Sequence, residues 1–433
     1  MELHGWGRYP RLDAQVALPL SATQCVATLA SSAPLIAHGL GRSYGDSALA
    51  SQVLGTRYLD HFAAFDATTG VLTCAGGVSL DAILRTFVPR GWFLPVTPGT
   101  RFVTVGGAIA SDLHGKNHHG AGTFCTHVQR LELLLGNGER VKASLTERAE
   151  LFHATCGGMG LTGIILSVTL QLKPIVASSI LQTTVKAANL EAVLEAFKAH
   201  AASTYSVAWI DCLARGKALG RALLMLGEHA TDGPLAVQTT PPMPVPFDLP
   251  PALLNRASVQ AFNSLYYGRI RQKVSQQRMA FEPFFYPLDA LGQWNRLYGK
   301  PGFVQYQFVL PQAAGVAGLR EVLERIAESG RGSFLAVLKV FGPANANYLS
   351  FPQAGYTLAL DFKAEAAAFA LLDELDAIVL HHGGRLYLAK DARMSAATFK
   401  ASYPNWQAFE EVRARWHAHG KFASAQSLRI GLL

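Results

Sequence analysis

Backbone crowding is the strongest constraint in this sequence. Three glycine-rich segments fall before residue 165, at 39–45, 97–123 and 155–163. The middle one, TPGTRFVTVGGAIASDLHGKNHHGAGT, carries six glycines. Such density suits neither a plain strand nor a plain helix. It suits backbone packed closely against another body. Three segments of this kind imply an extended ligand threaded between two small subdomains. Loops rich in backbone N–H groups make anion nests, and Arg42 would reinforce a pyrophosphate site on the first loop. The Gly39-x-Gly41 pair after a strand invites a dinucleotide-fold reading, but that fold needs a full helix after the glycines. Here RSYGDSALASQ follows, with Gly45 and Asp46 in the first turn. In the second segment, residues 105–110 offer small side chains and, on this reading, free amides.

The 433 residues suit two or three domains. Half are hydrophobic and 16% are charged, which excludes general disorder. The formal charge of +8 permits an anionic cofactor, a membrane surface or nucleic acid, and selects none. No nucleic-acid reading module is recognisable, so no nucleic-acid partner is expected. The five cysteines (25, 74, 125, 156 and 212) are scattered, odd in number and without a CxxC pair. They read as reduced, buried thiols. Neither a secretory leader nor a membrane-spanning run is expected. A metal reading would use His114, His118 and His119 with Asp112. No ligand spacing supports it, and no metal is expected.

Periodicity divides the chain. A helix over 21–32, capped by Ser21, precedes short strands at 34–38, 56–60 and 71–77. A helix from 79 to 88 follows. A hairpin over 128–143 turns at Asn137-Gly138, and a long strand covers 161–175. After Pro174 the texture changes. Strands at 205–213, 303–311, 333–342 and 355–364 alternate with helices at 187–200, 319–329 and 366–384. That order reads as an antiparallel sheet with helices on one face, an α+β fold. Expected boundaries are 1–176, 177–384 with an insert at about 235–300, and a basic C-terminal piece, 385–433. The insert opens proline-rich. From Arg256 to Arg278 it holds five basic residues and no acid, interleaved with Phe262, Tyr266 and Tyr267. It reads either as an ordinary surface helix over the junction or as a membrane-docking patch.

Gln305 and Gln307 share one strand face, where two amides can bind a sugar. Lys339 sits in an otherwise apolar strand, where a lysine is costly to bury without an anion. Lys390 follows the short strand GRLYLA and precedes Asp391, a candidate surface partner.

The strings HGLGRSYGDSAL (38–49), PGTRFVTVGGAIASDLHGKNHHGAGTF (98–124), GGMGLTGII (157–165), FVQYQF (303–308), LKVFG (338–342) and YLAKDAR (387–393) carry a resemblance. The chain resembles the flavin oxidoreductases of the vanillyl-alcohol-oxidase superfamily. Within it, the similarity is to the branch that oxidises the 2-hydroxyl of decaprenylphosphoryl-ribose in cell-wall arabinan synthesis. The resemblance implies a two-subdomain, PCMH-type FAD-binding domain plus a substrate domain. It implies FAD on Gly39, Gly41, Arg42, Ser43, Tyr44 and Gly45, with Thr100, Gly106, Gly107, Ser111, His114 and Asn117 opposite. Gly158, Gly163, Ile164 and Lys390 complete that set. Some members tether flavin through a histidine in the first loop; Tyr44 stands here instead, so non-covalent FAD is implied. Lys390, His114, Tyr44, Lys339, Gln305 and Gln307 are the implied catalytic set, with His114 in an orienting role. Thr357 and Ala359 stand where the branch has asparagine and cysteine.

The expected reaction is oxidation of a secondary hydroxyl to a ketone by hydride transfer to flavin. It would be the first half of an epimerisation completed by an NAD(P)-dependent ketoreductase. A soluble sugar or polyol substrate and a non-catalytic flavin-binding role are the alternatives. The expected location is cytoplasmic, peripheral at the inner face of an anionic membrane.

Overall fold

The computed structural model describes residues 1–31, 33–238 and 241–432. A small parallel sheet orders Gln15–Ala17, Gln52–Gly55 and Ile36–His38. A five-stranded antiparallel sheet follows in the order Arg140–Ala143, Val128–Leu134, Ile164–Gln171, Val71–Ala75 and Phe62–Asp66. The strand expected at 56–60 is absent. Strand pairing falls on Gln52–Gly55, whose Val53, Leu54 and Gly55 are buried, and the chain turns at Arg57 and Tyr58. The first helix is Ala22–Ser31; the final residue expected in it, Ser32, lies outside the described residues. The helix Leu80–Phe87 starts where expected, because the Ser79 side chain accepts the Ala82 amide. No helix follows Gly41.

The large sheet has eight antiparallel strands. Its order is Val274–Met279, Ile180–Ala187, Ala222–His229, Tyr205–Ile210, Ala336–Phe341, Gly355–Lys363, Phe303–Pro311 and Arg385–Leu386. The two-residue period assigns its faces. Leu338, Leu358, Leu360, Tyr306 and Phe308 are buried in one core with the helices Leu190–Ala199, Gly315–Ser329 and Ala366–His381. The opposite face carries Trp209, Val337, Ala359 and Gln307 in successive register across four strands. The fold is therefore α+β, with an N-terminal FAD-binding subdomain and an antiparallel-sheet substrate subdomain flanked by helices.

The region expected to be an insert is more integrated than its sequence suggests. Residues 239 and 240, at its proline-rich opening, lie outside the described residues. Beyond them, the helix Arg256–Gly268 leads into Val274–Met279, an edge strand of the large sheet. Phe281, Phe284, Phe285 and Tyr286 then bury themselves in the core of the FAD-binding side, against Phe93.

The C-terminal residues cross back to the first part of the chain. Arg429 pairs with Asp46 at 2.7 Å and Asp391 at 2.8 Å. Arg413, fully buried, donates to the carbonyls of Leu161 and Phe422. No helix among the described residues is long and apolar enough to cross a membrane.

Candidate active site

The exposed face of the large sheet and the glycine-rich segments enclose one cavity of about 570 Å³. Two kinds of wall meet there.

The first wall is backbone. Gly39, Gly41, Arg42, Ser43, Tyr44, Thr100, Gly106, Gly107, Ser111 and Gly163 all line it. The amides of Leu40, Gly41, Arg42 and Ser43 find no protein acceptor among the described residues. The Arg42 guanidinium stacks 4.0 Å from the Trp6 ring centroid, and its buried Nε has no hydrogen-bond partner. Burial lowers its pKa, with Asp289 opposing. An open row of amides beside an under-satisfied guanidinium fits a pyrophosphate, so this wall fits FAD. The second glycine segment works differently from expectation. Its amides are occupied: Gly106 N–H donates to Gly76 O at 2.7 Å, and Gly107 N–H to the Thr104 side chain at 3.0 Å. Thr104 thereby caps the short helix Val105–Ala110. These glycines supply closeness rather than free donors.

Four residues expected on this wall are elsewhere. At Gly45 a Cβ would lie 1.9 Å from Asp391 O, so this glycine serves packing against the C-terminal segment. Asn117 turns inward, donating to Pro95 O at 2.8 Å. Gly158 packs on Ala154 and Phe409, and Ile164 is wholly inside the core. None of the four lines the cavity.

The second wall is side chains. Gln305, Gln307, Lys339, Ala359 and Lys390 line it. Lys390 ends the turn Leu388–Lys390, and its Nζ lies 3.9 Å from the Tyr44 ring centroid. Asp391 pairs with Arg429, not with Lys390. Burial pushes the Lys390 pKa down to about 7; Asp361 opposes this and Lys339 adds to it. Asp361 went unread in the sequence. It is buried, accepts from Gln305 Nε2 at 2.6 Å, and has its own pKa pushed up to about 7 by burial. Burial also raises the Tyr44 phenol well above its ordinary value.

The Gln307 Nε2 lies 3.1 Å from His114 Nε2 and 3.1 Å from Thr357 Oγ1. On the other side of that imidazole, Lys339 Nζ lies 3.4 Å from Nδ1. Burial drives the His114 pKa well below its ordinary value, and Lys339, His118 and Lys390 drive it further. His114 is a neutral ring. His118 and His119 separate from it: His118 Nδ1 accepts the Gly342 amide, and His119 Nε2 bonds Ser203 O.

Beyond this cluster the cavity runs along Val207, Trp209 and Met225 to Tyr266 and Arg269. Arg269 is held by Tyr266, 3.8 Å from its ring centroid and 2.9 Å from its hydroxyl. Lys116 also faces the cavity. It donates to Phe284 O and sits over the Phe284 ring, with burial taking its pKa down to about 7. Trp209 read only as part of an apolar strand, and the strand Ala222–His229, which carries Met225, was not expected. Their parity with Gln307 is visible once the register is known.

Residues 14–144 match the model of a family described as an FAD binding domain. The whole chain aligns with 97% of the decaprenylphosphoryl-beta-D-ribose oxidase of Mycolicibacterium smegmatis at 38% identity. A protein of Streptomyces coelicolor described as "Uncharacterized protein in mprA 5'region" is 34% identical over its full length and 82% of this chain. The L-gulonolactone oxidase of Bos taurus is 38% identical, but over 23% of this chain and 21% of its own.

Proposed function

Because the chain belongs to the PCMH-type FAD-binding flavoproteins of the decaprenylphosphoryl-beta-D-ribose oxidase family, we propose that it oxidises the 2-hydroxyl of a polyprenyl-phosphate pentose to a ketone. The chain is an FAD-dependent oxidoreductase of CH–OH groups, and its FAD is non-covalent. The observation that carries the finer reading is the charge of the cavity. Among the described residues its lining holds five basic side chains, Arg42, Lys116, Arg269, Lys339 and Lys390, and one carboxylate, Asp289. A pyrophosphate beside Arg42 accounts for one end. Lys116 and Arg269 suit a second anion, the phosphate of the substrate, and the apolar stretch past Trp209 and Met225 suits the start of a lipid tail.

In this reading Leu40 to Ser43 and Arg42 hold the pyrophosphate, and Gly106, Gly107, Ser111 and Gly163 admit the rest of FAD. Bound FAD supplies the hydride acceptor. Lys390 holds positive charge where negative charge develops. Gln305, Gln307 and His114 orient the sugar. The boundaries of this division are 1–176, 177–384 and 385–433. The product ketone would pass to an NAD(P)-dependent ketoreductase, completing an epimerisation that serves cell-wall arabinan.

Membrane contact belongs to the same proposal. Phe247, Phe262 and Leu265 are 61%, 41% and 76% exposed, and Arg271 and Lys273 are exposed close by. This combination suits an anionic bilayer surface, with the enzyme peripheral at its cytoplasmic face. The deciding experiment is anaerobic. Purified holoenzyme is mixed with a polyprenyl-phosphate pentose or with a free pentose, and flavin absorbance is followed. Bleaching by the lipid-linked sugar alone is expected. Bleaching by the free sugar at equal rate would replace the lipid substrate with a soluble one.

A further inference from the structure

We propose that Lys339 takes the substrate's hydroxyl proton as a neutral amine, and that Thr357 favours that neutral form through Gln307 and His114. The inference rests on the alcohol oxidation proposed above. It starts from a threonine with no access to the cavity.

Thr357 is fully buried, and its hydroxyl donates to Phe308 O at 2.8 Å. That hydrogen is occupied, so Oγ1 can only accept. It accepts from Gln307 Nε2 at 3.1 Å. The amide is therefore fixed one way round, with its NH₂ and not its carbonyl toward this cluster. The second hydrogen of the same nitrogen faces His114 Nε2, also at 3.1 Å. A neutral imidazole that accepts at Nε2 carries its hydrogen at Nδ1. That hydrogen faces Lys339 Nζ, 3.4 Å away. An N–H donor meets a lone pair there favourably and an ammonium unfavourably.

The surroundings favour the same state. Charged or titratable groups near Lys339 are Lys116, His114, His118 and Lys390. No carboxylate pairs with Lys339 among the described residues. The His114 ring is also packed by Phe341, Phe351 and Tyr387, and the Gly115 backbone is a further hydrogen-bonding neighbour. Burial takes the Lys339 pKa down to about 8, which brings the neutral amine within reach near neutral pH and makes it the major form above pH 8. Lys339 lines the same cavity as Gln305 and Lys390.

The step balances. The O–H bond breaks and its proton bonds to Nζ, giving an ammonium. The electron pair left on oxygen becomes the second bond of the ketone. The C–H hydrogen departs with its own pair to the flavin, which is reduced. Lys339 is the catalytic residue here. His114, Gln307 and Thr357 are positioning residues.

The test uses holoenzyme labelled with ¹⁵N-histidine, in which protonated and bare ring nitrogens resonate far apart. The His114 signals are identified by their loss in His114→Gln. Wild type and Thr357→Ser should show Nδ1 protonated and Nε2 bare. Thr357→Val removes the hydroxyl, lets the amide turn and moves the proton to Nε2. The bare Nδ1 then accepts from a Lys339 ammonium. The acid limb of anaerobic flavin reduction should move to higher pH by about one unit, roughly one hydrogen bond's worth. Gln307→Glu should shift it the same way, since a carboxylate can only accept. Thr357→Ser should restore the wild-type limb. A protonated Nε2 in wild type would overturn the relay. So would an acid limb that ignores both Thr357→Val and Gln307→Glu. The resonance needs no substrate. Correct tautomers beside a flavin that no lipid-linked or free pentose reduces would instead overturn the oxidation, and the proton-taking role with it.

Discussion

The glycine-rich wall and the sheet wall face each other across one cavity, yet they tolerate change differently. On the first wall the geometry is set by contacts behind the surface. Just behind this wall a Cβ at Gly45 would meet Asp391 O, and on the wall a Cβ at Gly106 would meet the carbonyl of Gly76. A single methyl there disturbs how two segments meet. On the sheet wall alternate side chains project from strands whose other face is already packed. Ala359 and Gln307 can change with little effect on the core beneath, and the chemistry changes with them. Close backbone packing therefore shapes one wall, and projecting polar side chains make up the other.

The largest test of this contrast is Lys390→Ala. It removes the cation over the Tyr44 ring and leaves every glycine of the first wall in place. FAD content should be retained, while anaerobic flavin reduction by a confirmed substrate slows by roughly 10²-fold or more, the scale of a lost transition-state donor. Stopped-flow absorbance gives the rate. Unchanged reduction would return Lys390 to a merely structural role.

A smaller effect is expected from Gly45→Ala, where the new Cβ meets Asp391 O at 1.9 Å. Overpacking of this kind costs about 1–3 kcal/mol. The matching change on the sheet wall, Ala359→Ser, should stay within about 0.5 kcal/mol. Urea unfolding of the two variants compares them directly. Equal stabilities would break the distinction between the walls.

The smallest effect concerns neither wall. Arg271→Glu with Lys273→Glu should weaken sedimentation with anionic vesicles at low salt, by about 1 kcal/mol per side chain that reaches the surface. FAD content should be unaffected. Arg269 is left in place because it lines the cavity. Wild-type protein that stays in the supernatant with anionic vesicles at low salt would remove the membrane from the proposal.

Local rules carried much of this protein. Period-two spacing put Gln305 and Gln307 on one face, and both line the cavity. Ser79 marked a helix start, and Asn137-Gly138 marked a hairpin. These signals depend on neighbours within a few residues. The errors arose where partners are distant. Val274–Met279 fell inside the expected insert because it is an edge strand with exposed Gln276, Gln277 and Arg278. Gly45, Asn117, Gly158 and Ile164 looked like cofactor contacts, since a glycine near a ligand and a glycine near a carbonyl are identical in sequence. Asp391 seemed the natural partner of Lys390, yet it pairs with Arg429, brought in by the returning C-terminus. Asp361 passed unread as a member of a buried strand, and Thr357, noted only as a departure from the branch, lies behind the cavity rather than on it. Sequence alone thus determined the elements, the glycine wall and the lysines in the cavity. Tertiary structure alone decided which groups share a dry space. Protonation state and hydrogen-bond direction depend on burial and on partners such as Thr357, Gln307 and His114, and folding brings these together from three separate stretches of chain.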